Sequence, residues 1–75
     1  MKEITDKDLK RIGEQVKRLR KLSDQSQEEL AEILGVSGMT IYRIEKGMTE
    51  MSVLMLLRIA AAFRVPVEEI LCEED

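Results

Sequence analysis

Apolar residues recur at helical spacing along this chain, and polar cap residues separate the apolar stretches. Leu9, Ile12, Val16 and Leu19 follow each other at steps of three and four, which puts them on one side of a helix. Thr5 precedes that stripe as a cap, with Asp6 and Asp8 in the first turn where the helix dipole favours acids, and the helix should stop near Ser23 and Asp24. Gly13 is a weak point within it, since glycine is a poor helix former. A second apolar set, Leu30, Ala31, Ile33 and Leu34, begins just after Ser26. Ser26 and Glu29 have the spacing of a capping box, in which hydroxyl and carboxylate each satisfy a free backbone N–H. Gly35 can take the left-handed conformation that ends a helix, and Ser37 is the next cap. Val36, Ile41 and Ile44 form the apolar side of a third element, and Gly47 offers it the same stop.

Further on, Ser52 caps a helix whose core face is expected to be Val53, Leu56, Leu57, Ala60 and Phe63. Its other side holds Leu54, Met55 and Ala61 around Arg58. A helix apolar nearly all round is buried on more than one side. Pro66 suits the first turn of a short last helix, with Glu68 and Glu69 near its start and Val67, Ile70 and Leu71 apolar. The acidic tail, residues 73–75, is expected to fray.

The stretch between Ser26 and Gly47 organises the rest. Two short helices joined by so short a Gly-containing turn must cross steeply, which is a helix-turn-helix. On its second helix, Gly38, Met39, Tyr42, Arg43 and Lys46 fall opposite Ile41 and Ile44. That outward side bears two cations, a phenol and a thioether and no acid. The plain alternative is an ordinary solvated helix face.

The ordered string Gln27-Glu28-Glu29-Leu30-Ala31, Gly35-Val36-Ser37, Thr40-Ile41 and Ile44-Glu45-Lys46-Gly47 resembles the Xre/Cro family of helix-turn-helix regulators. The resemblance extends to Ile12–Leu22 before it and Val53–Leu71 after it. It implies an all-α fold, a compact five-helix lambda-repressor-like DNA-binding domain spanning residues 1–75, with its helix-turn-helix core at about 26–47. It also implies that the third helix enters the DNA major groove. Gln27, at the start of the second helix, would contact a phosphate. Gly38, Met39, Tyr42 and Arg43 would face base edges, Lys46 would contribute a phosphate contact, and Ser37 and Thr40 would either add a hydrogen bond or simply cap the helix. Arg20 and Glu45 stand where relatives have a buried ion pair. The chain departs from the pattern at several points. Asp24 and Arg64 occupy helix ends that relatives often give to glycine, and Gln25 stands where an apolar residue would pack on Leu30. The loop Met48-Thr49-Glu50-Met51 is apolar and acidic where relatives are often basic.

Charge and composition narrow the function. The 75 residues carry a formal net charge of −3, which speaks against an indiscriminate polycation. The cations Lys10, Arg11, Lys17, Arg18, Arg20 and Lys21 crowd the first helix, while acids dominate the end, so the chain has a basic front and an acidic back. A chain this small buries only about 60% of its unfolded surface and gains from association. Surplus apolar residues point to a homodimer through Leu54, Met55, Val65, Val67, Ile70 and Leu71. The single Cys72 suits a reducing compartment, no apolar run approaches the roughly 20 residues of a membrane span, and the start lacks a signal-peptide stretch; a cytoplasmic location is expected.

With no histidine, no cysteine cluster, no Gly-rich phosphate loop and no activated nucleophile, the sequence predicts neither an enzyme nor a cofactor. The leading reading is a homodimeric repressor that reads a palindromic operator in double-stranded DNA. The others are a protein-interaction module using Met39, Met48, Met51 and Met55, and an antitoxin or restriction-modification controller with a protein partner.

Overall fold

The computed structural model describes residues 5–71; Cys72, the tail at 73–75 and residues 1–4 lie outside them. The described residues form five α-helices: α1 (Asp6–Leu22), α2 (Gln27–Leu34), α3 (Gly38–Glu45), α4 (Val53–Phe63) and α5 (Glu68–Leu71). Local chemistry sets each boundary. The Thr5 N–H donates to Asp8 Oδ2 at 2.9 Å ahead of α1. The Ser26 N–H donates to Glu29 Oε1 at 2.9 Å and Ser26 Oγ accepts from the Glu29 N–H at 3.0 Å, the reciprocal capping box of α2. Ser37 and Ser52 cap α3 and α4 by accepting from the Thr40 and Met55 N–H groups. Gly35 closes α2 at φ 72°, and Gly47 follows α3 at φ 70°.

Asp24 and Arg64 are also left-handed, at φ 57° and 58°. Each side chain there costs roughly 1 kcal/mol of backbone strain. Pro66 lies ahead of α5 rather than within it, and its carbonyl accepts the Glu69 N–H.

The core joins all five helices: Val16 and Leu19 of α1, Leu30, Ala31 and Leu34 of α2, Ile41 and Ile44 of α3, Ile59 and Ala60 of α4, and Ile70 of α5. Helix α1 packs on α3, α4 and α5, and α2 packs on α3 and α4. Gly13 turns out to be required rather than merely tolerated. A Cβ there would fall 2.7 Å from the Glu45 carbonyl oxygen, so the α1 backbone lies directly on the end of α3. A Cβ on Gly47 would likewise fall 2.7 Å from Lys10 Cα.

Helix α4 is rotated from the expected phase. Ile59 is fully buried and Ala60 nearly so, with Met55, Leu56, Ala62 and Phe63 packed around them. Val53 and Leu57, expected in the core, are 75% and 49% exposed. In a helix apolar nearly all round, the pattern carries no phase, and packing against α2 and α1 decides it. Ile33 of α2 is exposed as well.

Candidate nucleic-acid interface

Two faces of α3 are held apart by burial. Ile41, Ile44 and Glu45 are buried, whereas Met39, Tyr42, Arg43 and Lys46 are exposed and Gly38 is half-buried. The outward side therefore presents a thioether, a phenol and two cations along one face, as its spacing requires. Lys46 Nζ sits 5.8 Å from the Tyr42 ring centroid, within reach of a cation–π attraction. Ser37 and Thr40 are engaged with each other: their hydroxyls lie 3.0 Å apart at the N-terminus of α3. Their positions serve the cap.

Helix α3 is fixed at its far end by charge. Arg20 Nε donates to Glu45 Oε2 at 2.6 Å and Nη2 donates to Oε1 at 3.1 Å, a two-point contact between residues 8% and 5% exposed. Arg20 Nη1 also donates to the Gln25 carbonyl at 2.8 Å. Hydrogen bonding from Glu45, reinforced by its charge, raises the Arg20 guanidinium above its ordinary pKa against the opposing effect of burial. The pair ties α1 to the end of α3 and to the α1–α2 turn.

Gln27 joins this network. Its Nε2 donates to Glu45 Oε1 at 3.0 Å, so one N–H of the side chain expected to face a phosphate is engaged by the buried carboxylate. A pairing 18 residues apart leaves no trace in local spacing. Sequence reasoning also missed Glu28. Its carboxylate occupies the space that a side chain on Gly38 would fill, which sets an acid against the start of the otherwise acid-free face. Beside the same face, Gln27, Tyr42 and Lys46 line one groove with Lys10 and Lys17 of α1.

The residues expected at a dimer interface divide. Leu54 and Leu71 are 58% and 39% exposed. Met55, Val65 and Val67 are half-buried against the core. Ile70 is fully buried within the protomer, where α5 packs on α1, so it belongs to the core and not to an outer surface. The exposed apolar stripe on α4 is Val53, Leu54 and Leu57 instead. Among the described residues, no cluster of three or more His, Cys, Asp or Glu side chains is placed to hold a metal, and no helix is long and apolar enough to cross a membrane.

Two eight-residue helices that pack on each other across a short turn at left-handed Gly35, the second with an exposed cation-bearing face, form a helix-turn-helix. The sequence profile of the helix-turn-helix family HTH_3 matches residues 16–70, and the chain belongs to that family, in its Xre/Cro form. It is 43% identical over 60 residues to an uncharacterised HTH-type transcriptional regulator of Methanocaldococcus jannaschii, covering 80% of this chain and 91% of the relative. It is 40% identical over 60 residues to the uncharacterised HTH-type transcriptional regulator YgzD of Bacillus subtilis, with the same coverage of both chains. Among solved structures, the restriction-modification controller protein C.AhdI of Aeromonas hydrophila superposes with a TM-score of 0.81 at 28% identity, covering 85% of this chain and 97% of that one. The DNA-binding domain of BldD superposes at 0.82 with 21% identity, covering 91% and 99%, a likeness of fold.

Proposed function

We propose that this protein is a DNA-binding transcriptional regulator that acts as a homodimeric repressor and reads a palindromic operator through α3. The observation that supports this best is the exposed face Met39-Tyr42-Arg43-Lys46, on a helix whose other face is buried and whose end is anchored by Arg20 and Glu45. A rigid helix with one free cationic face suits entry into a major groove. Arg43 can donate two hydrogen bonds to guanine O6 and N7, and Met39 suits contact with a thymine methyl. First-turn N–H groups of α2, with Lys46, would hold the backbone. A second copy of the chain would cover Val53, Leu54 and Leu57 of α4.

Selection from a randomised duplex library, followed by sedimentation with the selected site, tests the reading. The expected result is an approximate palindrome with half-site centres roughly 34 Å apart, bound by two copies. Enrichment of no sequence, or a monomer on a single half-site, would overturn it.

A controller that also engages a protein partner is the second reading. The fold match to a restriction-modification controller over 97% of that chain favours it. The wider interaction-module reading loses part of its basis, because Met51 and Met55 are half-buried and only Met39 and Met48 of its methionines stand exposed.

A further inference from the structure

The cations of α1 are not equivalent. Arg20 is bound to Glu45, Arg11 Nη1 donates to the Leu71 carbonyl and Arg11 pairs with Asp8, and Arg18 Nε donates to Gln15. Lys10 and Lys17 have no ion pair or hydrogen bond among the described residues. Both line the groove that Tyr42 and Lys46 reach from α3. Two glycines make this placement possible: without side chains at Gly13 and Gly47, α1 settles against the end of α3 and carries its lysines to the edge of the outward face.

The groove also contains two carboxylates. Glu45 is already neutralised by Arg20 and bonded by Gln27. Glu14 is the remaining acid, set against three ammonium groups, so the groove attracts anions on balance. The loop that follows α3, Met48-Thr49-Glu50-Met51, has no cation of its own. We infer that Lys10 and Lys17 of α1, with Lys46 and the Tyr42 hydroxyl, form a seat for a DNA backbone phosphate flanking the groove that α3 reads, and so supply the contact that the α3–α4 loop lacks. The occupant is a phosphodiester and not a separate small anion because the groove is continuous with the face of α3. The inference rests on the DNA-binding reading above.

The salt dependence of binding tests it, measured by fluorescence anisotropy of the full chain on a selected duplex and on a scrambled one. Each backbone phosphate contact contributes about 0.9 to the slope of log K against log salt. Losing the one phosphate of the seat lowers the slope by about 0.9 per bound protomer. Lys10→Gln with Lys17→Gln should therefore lower it by up to about 1.8 for a bound dimer and weaken both duplexes by the same factor, since a phosphate carries no sequence information. Glu14→Gln should tighten both. Arg18→Gln, on the side of α1 away from α3, should leave the slope near that of the parent. A slope unchanged in the double lysine variant, or lowered equally by Arg18→Gln, overturns the phosphate seat alone, provided the parent binds and Arg43→Ala loses site preference. A parent chain that binds no duplex at low salt overturns the DNA-binding reading, and the seat with it.

Discussion

Arg20 and Glu45, 25 residues apart, meet through two hydrogen bonds, Nε to Oε2 at 2.6 Å and Nη2 to Oε1 at 3.1 Å. Both side chains are withdrawn from water, so removing one partner leaves a buried charge uncompensated. Glu45→Ala should destabilise the domain by about 3–5 kcal/mol, and Arg20→Ala by a similar amount. The double variant should cost much less than the sum. Thermal melts of the three variants measure this coupling, and additive sub-kcal effects would show that the contact does not form.

Gly13 gives a result opposite to its helix propensity. Glycine in a helix interior is about 1 kcal/mol worse than alanine, so propensity alone predicts that Gly13→Ala stabilises. Here the added Cβ would meet the backbone oxygens of Ile44 and Glu45, which cannot move without displacing the end of α3. Gly13→Ala should therefore lower stability by roughly 1–3 kcal/mol, the usual cost of overpacking. A denaturant midpoint above that of the parent would contradict the close approach.

The Arg20–Glu45 pair and the approach at Gly13 separate what can be read from sequence from what cannot. The helix boundaries are local: Ser26, Ser37 and Ser52 bond to N–H groups three residues away, and Gly35 turns the chain by itself. The helix-turn-helix and the outward face of α3 follow from those caps and a 3.6-residue period. The Arg20–Glu45 pair was legible only through family resemblance. The contacts of Gly13 and Gln27 depend on where α1 lies on α3, which no local spacing encodes. The phase of α4 was lost for another reason. Val53, Leu54, Leu56, Leu57 and Ile59 are all apolar, so burial of Ile59 and exposure of Val53 and Leu57 come from packing alone.

Gln25 offers a stabilising change. Its Oε1 is buried without a hydrogen-bond partner, while its backbone carbonyl accepts from Arg20. An unsatisfied buried polar atom costs about 1–3 kcal/mol. Gln25→Leu removes it, keeps the carbonyl, and puts an apolar side chain where it can staple onto Leu30. The melting temperature should rise by several degrees, in line with about 1 kcal/mol. A fall would show that the Gln25 amide makes a favourable contact.

Acid should weaken the start of α2. The backbone N–H of Ser26, and secondarily its hydroxyl, hold the Glu29 carboxyl below the ordinary glutamate range. A carboxyl depressed in the folded state contributes stability that is present above the unfolded value of about 4.3 and is lost as pH falls through the folded value. Glu29→Gln cannot titrate. The stability difference between the parent and Glu29→Gln should be constant above about pH 5 and shrink below it. A difference that does not change with pH would remove the capping carboxylate from the account.

The exposed side of α3 is the centre of the functional reading, and Arg43 is its most specific element. On the selected duplex, Arg43→Ala should cost about 1–3 kcal/mol of binding and relax the preference at one base position in each half-site. Binding to scrambled duplex should change much less. Equilibrium titration of the parent and Arg43→Ala against both duplexes at one salt concentration is the direct measurement. Loss of discrimination by the variant is the predicted result, and a parent that binds selected and scrambled duplex equally, with Arg43→Ala unchanged on both, would contradict it.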